Sequence, residues 1–148
     1  MNIYFICTGN TCRSPMAEAI LRSKAIEGVT VRSAGVNAAD GLPIATNAKT
    51  LIEGADMPYT PVSNAVTEED LEWADLVLTM TMSHKAMLLH SFPEMEAKTF
   101  TLKEFAAPGE FGDVHDPYGG SLATYRTTFD ELGRLIEQLK MKLTEDEA

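Results

Sequence analysis

The loop at residues 7–14, together with the segments on either side of it, constrains the fold more than any other part of the chain. Residues 3–6 form an unbroken apolar and aromatic run, which predicts a buried strand. Pro15 suits the first position of a helix, because its missing N–H is not needed there. A strand that passes through a short loop into a helix turns backbone N–H groups toward the helix N-terminus, and Gly9 permits the unusual dihedral angles that such a loop needs. The sequence therefore predicts an anion-binding loop, with phosphate as its natural occupant.

Two side chains of this loop indicate chemistry as well as binding. Cys7 ends the strand, and Arg13 follows six residues later, where the loop can bring it to the same anion. A thiol near a helix N-terminus and a guanidinium is expected to have a lowered pKa, and Ser14 is placed to donate a hydrogen bond to the thiolate. Arg13 offers a planar pair of N–H donors to phosphoryl oxygens. The combination points to a nucleophile that attacks phosphorus and forms a cysteinyl-phosphate. The simpler alternative, a buried structural cysteine, is disfavoured by the strand, glycine and helix start around it.

The rest of the chain alternates predicted strands and helices. Further strands are predicted at residues 29–33, 76–80 and 99–102. Helices are predicted at residues 15–26, 44–53, 68–74 and 83–90, and a long amphipathic helix after Ser121 has apolar residues every three or four positions up to Leu143. Strands that alternate with helices predict a parallel sheet. We therefore expect one domain over residues 1–148, a three-layer α/β/α fold with a four-stranded parallel sheet and the phosphate-binding loop after the first strand.

Local signals predict where several of these elements begin and end. Thr67 and Ser83 are expected N-caps, and Gly28 and Gly54 are expected helix stops. Residues 144–148 are expected to be a frayed acidic tail.

Composition excludes several classes of function. The net charge of −10 argues against nucleic acid and anionic membranes as partners. No apolar run approaches the length of a membrane span and the N-terminus lacks a signal-peptide pattern, so we expect a cytoplasmic protein. The two cysteines match neither a disulfide framework nor a zinc spacing, and His84 and His90 lie on different helix faces, so no metal or cofactor is expected. We also expect a monomer.

A second chemical feature is Asp116, which is followed by Pro117 and Tyr118. Departure of a poor leaving group from phosphorus needs a proton, and a loop carboxyl can supply it and later activate water. Pro117 restricts the backbone of Asp116 to extended conformations, so the carboxyl can be held over the pocket. Asp113 is interpreted as a turn residue and His115 as solvated or packed. An Asp-Pro turn without chemistry is the alternative.

Residues 7–18 resemble the phosphate loop of the low-molecular-weight protein tyrosine phosphatases, and residues 32–35, 74–80 and 116–118 also fit that family. The chain is most similar to the bacterial branch that dephosphorylates protein arginine. Thr11 stands where tyrosine-directed members usually have a bulkier aliphatic residue, and Gly119 and Gly120 follow the Asp-Pro-Tyr segment. The resemblance implies catalysis by Cys7, Arg13 and Asp116. It also implies a set of substrate-binding residues: Thr8, Gly9, Asn10, Thr11, Cys12, Ser14 and Tyr118.

The expected function is hydrolysis of phosphorylated protein side chains, with phosphoarginine ahead of phosphotyrosine. Arsenate reductase is a weaker alternative, because its thiol-coupled form needs cysteines beyond Cys7 and Cys12. A phosphoprotein-binding module is also weaker, because it needs neither a nucleophile nor Asp116. Cys12 either fills space in the loop or, as the family resemblance allows, forms a reversible disulfide with Cys7.

Overall fold

The computed structural model describes residues 1–110 and 112–145, in which four strands form one sheet in the order β2-β1-β3-β4. The strands are β1 (Asn2–Cys7), β2 (Thr30–Gly35), β3 (Leu76–Thr79) and β4 (Thr99–Thr101). Every pairing is parallel, and Ile3 of β1 lies opposite Val31 and Leu76. The predicted four-stranded parallel sheet is confirmed.

Helices connect the strands. They are α1 (Arg13–Ser23), α2 (Thr46–Gly54), α3 (Glu68–Trp73), α4 (Met82–Ser91), α5 (Leu102–Ala106) and α6 (Leu122–Glu145), with a 3-10 helix at Pro93–Lys98. None of the helices in the described ranges is long and apolar enough to cross a bilayer.

The side chains of β1 alternate between two cores. Ile3 and Phe5 face a large core with the apolar residues of α1, α2, α5 and α6, whereas Tyr4 and Ile6 face a smaller core with residues of α3 and α4. All four are fully buried, which matches a strand covered on both faces by helices. The predicted three-layer arrangement is therefore confirmed.

Several predicted boundaries were wrong by a few residues. α1 begins at Arg13, so Pro15 is its third residue and not its first, and α2 begins at Thr46 and not at residue 44.

Three further differences have a local reason. α1 ends at Ser23, before the predicted stop at Gly28, because Ala25 already takes a left-handed backbone conformation. α4 begins at Met82, slightly earlier than predicted, because Thr81 and not Ser83 accepts the capping hydrogen bond from the N–H of His84. Leu102 starts α5 instead of ending β4, because Thr101 and Glu104 form a capping box there.

Other terminal signals were interpreted correctly. Thr67 accepts the N–H of Asp70 and caps α3, and α2 ends at Gly54.

The prediction of a frayed tail is wrong for residues 144–145, which continue α6. Residues 146–148 of that predicted tail lie outside the described residues.

The order of the strands determines where a ligand can bind. The chain leaves β1 to form β2 on one side and later crosses to form β3 on the other. In open parallel sheets, such a switch point leaves a crevice beyond the carboxyl ends of the strands. The loop between Cys7 and α1 lies at this crevice.

Candidate active site

A pocket of about 260 Å³ opens at the carboxyl end of β1. It is lined by Cys7, Thr8, Gly9, Thr11, Cys12, Arg13, Asp116 and Tyr118. The structure therefore brings eight of the ten predicted site residues around one space. The other two, Asn10 and Ser14, are buried and support the loop from behind.

The sulfur of Cys7 is surrounded by hydrogen-bonding groups. Its Sγ lies 2.7 Å from Oγ of Ser14 and accepts the N–H of Asn10 at 3.3 Å. The side-chain amide of Asn10 donates to the same Ser14 oxygen at 2.8 Å, which leaves the hydroxyl proton of Ser14 free to be donated to the sulfur. The expected contact between Ser14 and Cys7 is present.

The pKa of the Cys7 thiol does not follow the prediction. Burial raises this pKa above its ordinary value, although hydrogen bonds from Ser14 and Asn10 and the charge of Arg13 act to lower it. The prediction of a lowered pKa was wrong because it considered the nearby donors and not the desolvation of the thiol, and Cys7 is only 3% exposed.

Asn10 connects the loop to two other segments of the chain. Its backbone has a φ of +55°, a left-handed conformation that asparagine tolerates better than most residues. Its side-chain amide donates to Ser33 at 3.0 Å, and its carbonyl oxygen accepts the N–H of Asn64 at 2.8 Å. Ser33 in turn donates to the buried carboxylate of Glu18. This network fixes the strained residue in the middle of the loop.

The segment after β2 holds the carbonyl groups of the loop. Val36 donates to the carbonyl of Cys7 at 2.9 Å, and Asn37 donates to that of Thr8 at 3.0 Å. Ala45 donates to the carbonyl of Thr11 at 2.8 Å. Because these carbonyls are engaged outside the pocket, the N–H side of the loop is left to face an anion.

Arg13 is anchored by the loop that contains Asp116. Its side chain is buried, one NH group donates to the carbonyl of Val114 at 3.2 Å, and the other lies 3.6 Å from the carboxylate of Asp116. Val114 itself donates to the carbonyl of Met80 just after β3. No role was predicted for Val114, although an apolar residue in an otherwise polar loop is a signal that this point is buried.

Asp116 begins a tight turn at the rim of the pocket. Its carboxylate accepts the N–H of Tyr118 at 3.0 Å, and the carbonyl of Pro117 accepts the N–H of Gly120 at 2.8 Å. Gly119 has a φ of +77°, and a Cβ on Gly120 would lie 2.7 Å from the side chain of Thr124. The two glycines thus have a backbone role in this turn, and neither adds a side chain beside Tyr118.

The other polar residues of this loop are engaged in packing. The carboxylate of Asp113 accepts the N–H of Met82 at the start of α4. Nδ1 of His115 lies 2.8 Å from the hydroxyl of Thr128 on α6. These contacts match the expected turn and packing roles.

The chain matches the description "Low molecular weight phosphotyrosine protein phosphatase" over residues 2–148. It belongs to this family. The resemblance inferred from the loop motif is therefore confirmed.

Individual members of the family are similar over almost the whole chain. A protein-arginine-phosphatase of Bacillus subtilis (strain 168) is 47% identical over 149 residues, which cover 99% of both chains. The structure of the YwlE arginine phosphatase from Geobacillus stearothermophilus superposes with a TM-score of 0.95 at 45% identity, covering 99% of this chain and 94% of that one. A YwlE C7S mutant with a phosphorylated active site serine superposes with a TM-score of 0.93 at 45% identity, covering 99% and 97%.

This family member has two free cysteines at the pocket. Cys12 is buried, and its sulfur lies 3.2 Å from the hydroxyl of Tyr125 on α6. A reversible disulfide between Cys7 and Cys12, one of the two alternatives for Cys12, stays a prediction. Among the described residues, no group of three or more His, Cys, Asp or Glu side chains is placed to hold a metal ion.

One residue beside the phosphate loop was missed by the sequence analysis. Nε2 of His84 lies 2.7 Å from the hydroxyl oxygen of Thr8, and the ring is almost fully buried. Burial, and secondly the charge of Arg13, lowers the pKa of His84 to about 4. Only the fold brings these two residues together, since they lie 76 positions apart.

Proposed function

We propose that this chain is a protein phosphatase that removes phosphate from arginine side chains through a cysteinyl-phosphate. The observation on which the proposal rests is the placement of Cys7, Arg13 and Asp116 around one anion-binding pocket. Its choice of substrate is supported by the similarity to proteins named as arginine phosphatases.

In the first step, the sulfur of Cys7 attacks phosphorus, a sulfur–phosphorus bond forms and the bond to the leaving nitrogen breaks. Burial raises the pKa of the thiol, so its proton must leave before attack, and a phosphoryl dianion in the pocket is an adjacent base. Asp116 gives its proton to the departing guanidine nitrogen. Arg13 and the loop N–H groups stabilise the charge on the phosphoryl oxygens. The related mutant with a phosphorylated active site serine supports a covalent intermediate at this position.

In the second step, the carboxylate of Asp116 takes a proton from water. The resulting hydroxide attacks phosphorus and the sulfur–phosphorus bond breaks. The departing phosphate returns to the Cys7 sulfur the proton that it took in the first step, so the free thiol is restored as inorganic phosphate leaves. Asp116 ends the cycle protonated, as it began. Its exposed carboxylate is accessible to water from outside the pocket.

The pocket offers polar groups to a guanidinium as well as an aromatic wall. Thr11 presents a small β-branched hydroxyl side chain to the pocket, and the carboxyl of Asp116 has a carbonyl oxygen that can accept an N–H of the guanidinium group. Tyr118 is 82% exposed and can lie against either a guanidinium plane or a phenyl ring. Phosphotyrosine is therefore the second candidate substrate, and the family description favours it.

The deciding experiment compares kcat/KM for a phosphoarginine peptide with that for the matched phosphotyrosine peptide under one set of conditions. We expect a preference for phosphoarginine of at least about tenfold, a ratio that a few pocket contacts can produce. A preference for phosphotyrosine would keep the phosphatase mechanism and overturn the proposed substrate.

A control distinguishes this enzyme from the weaker alternatives. Cys7→Ser is expected to abolish turnover but to keep the affinity for vanadate, because the loop donors remain. A binding module or a reductase would release no phosphate from a small aryl phosphate even as the wild type. A reductase would also need further thiols, and the chain has two cysteines.

The proposed setting is the cytoplasm of a bacterium, where phosphorylated proteins are the substrates of a monomeric enzyme. Two considerations support it. The mechanism needs Cys7 as a free thiol, which a reducing compartment preserves, and the relatives with named organisms described above are bacterial.

A further inference from the structure

The contact between His84 and Thr8 lies at the wall of the pocket and has no role in the mechanism above. Thr8 is exposed and lines the pocket beside Cys7 and Asp116. His84 lies in the first turn of α4 with 4% of its surface exposed, and its Nε2 is 2.7 Å from Oγ1 of Thr8. A buried imidazole therefore holds the hydroxyl of a side chain that substrate can reach.

The ring of His84 is fixed at both its backbone and its side chain. Its N–H donates to the N-cap Thr81 at 3.0 Å. Its second ring nitrogen, Nδ1, is buried and has no partner among residues 1–110 and 112–145. The hydrogen bond to Thr8 is thus the one polar contact found there for the ring, and α4 holds the ring in place to make it.

The orientation of the Thr8 side chain follows from this bond. Whichever of the two atoms donates, a hydroxyl oxygen has two lone pairs, so Oγ1 keeps at least one lone pair that His84 does not use. Without the bond, Thr8 would choose among the staggered rotamers freely, and its methyl group could replace its oxygen at the pocket.

We infer that His84 is a positioning residue for substrate selection: it orients the hydroxyl oxygen of Thr8 as an acceptor for an N–H group of a guanidinium leaving group. The inference rests on the proposed function and adds Thr8 to the polar groups of the pocket wall that recognise the leaving group. A phosphoguanidino substrate has N–H donors next to the bond that breaks, whereas the ring of a phenyl phosphate has none. A wall with an oriented acceptor therefore favours the first class and leaves an unpaired oxygen against the second.

The ordinary alternative is a histidine that serves only to pack α4 against the loop. In that case, its replacement would lower the stability and would change the rates on all substrates by the same factor. A selective effect on one substrate class separates the two interpretations.

The test measures kcat/KM for a phosphoarginine peptide and for an aryl phosphate with the wild type, Thr8→Val, His84→Phe and the double variant. We expect each single variant to lower the ratio of the two kcat/KM values by about tenfold, as for the loss of one oriented hydrogen bond. The double variant is expected to show no further decrease, because both changes remove the same contact. Thr8→Ser keeps the hydroxyl and should keep the ratio.

His90→Phe is the matched control, since it changes a histidine of the same helix that is exposed and does not line the pocket. It should leave the ratio at the wild-type value. Thermal unfolding of every variant identifies those that have lost stability, and Thr8→Val provides the test if His84→Phe does not fold.

Two results would overturn the inference in different ways. If the wild type hydrolyses phosphoarginine but the variants lose activity equally on both substrates, only the role of His84 and Thr8 fails. If the wild type does not hydrolyse phosphoarginine, the proposed function fails and this inference fails with it.

Discussion

Opposing effects act on the pKa of Cys7. Burial raises it, while the hydroxyl of Ser14, the N–H groups of Ser14 and Asn10, and the charge of Arg13 lower it. The balance favours the protonated thiol, so each of the lowering groups increases the fraction of reactive thiolate at neutral pH. The hydroxyl of Ser14 can be removed without changing a side chain that lines the pocket.

Ser14→Ala is expected to raise the pKa of Cys7 further, because the hydrogen bond that stabilises the thiolate is lost. A higher pKa means less thiolate at any given pH. The rate of alkylation of Cys7 by iodoacetamide, measured against pH, should therefore have its midpoint at a higher pH and be slower at pH 7. A midpoint that moves to lower pH would show that Ser14 acts chiefly on the neutral thiol. Cys12→Ser in both backgrounds ensures that only Cys7 is alkylated.

Asp116→Asn removes the proposed proton donor but keeps the size of the side chain. General acids contribute about 10²- to 10⁴-fold to such steps, and most where the leaving group is basic. In a series of aryl phosphates, log kcat/KM should fall more steeply with the pKa of the leaving phenol for the variant than for the wild type. Equal loss across the series would indicate that Asp116 serves binding instead of proton transfer. Asp113→Asn is the comparison variant, since Asp113 lies in the same loop and its carboxylate accepts the N–H of Met82.

Among the elements, the end of β2 packs closely against the phosphate loop. Gly35 pairs with Cys7 across the sheet, and a Cβ on Gly35 would lie 2.3 Å from the backbone carbonyl of Thr8. A backbone atom cannot rotate away as a side chain can, so a larger residue must displace the loop. Glycine is required here by space and not by its backbone angles.

Gly35→Ala should lower the free energy of unfolding by about 1–3 kcal/mol, as for other overpacked core sites, and should reduce kcat/KM because the loop is displaced. Gly133→Ala is a suitable control, since this glycine lies inside α6 with no atom within 4 Å of an added Cβ. That change should raise stability by about 0.5–1 kcal/mol. Urea unfolding measures both, and an active Gly35→Ala protein of unchanged stability would contradict the packing argument.

Elements with a local signal were predictable, and contacts between distant segments were not. The strand before Cys7, the helix after Arg13 and the periodic α6 follow from residues that are neighbours in sequence. α5 has five residues, too few to show a helical period. The contact of Asn10 with Asn64 spans 54 positions, and that of Arg13 with Val114 spans 101. No local sequence pattern predicts contacts over such separations.

At the scale of the whole molecule, the net charge of −10 affects which substrates reach the pocket. Basic groups are favoured by the overall field and acidic ones are repelled, and salt screens both effects over about 10 Å at 0.1 M. The few positive charges at the site act only at short range. The enzyme is therefore expected to discriminate among phosphopeptides by the charge of their flanking residues as well as by the phosphorylated side chain.

Raising the salt concentration from 0.02 to 0.2 M should increase kcat/KM for a phosphopeptide with acidic flanks and decrease it for one with basic flanks. A peptide with uncharged flanks provides the baseline. The same direction of change for all three peptides would show that salt acts on the pocket itself, and the long-range explanation would fail.

The hydrogen bonds from Val36, Asn37 and Ala45 to the phosphate loop also link the dynamics of two segments. Each of these amides can exchange its hydrogen with solvent only when it leaves a carbonyl of the loop. The three amides are therefore expected to have similar protection factors in hydrogen exchange, because they become exposed in a single local opening. The same opening disrupts the anion-binding geometry of the phosphate loop. A phosphate analogue such as vanadate, which stabilises the closed phosphate loop, should slow the exchange of these three amides although it does not contact them.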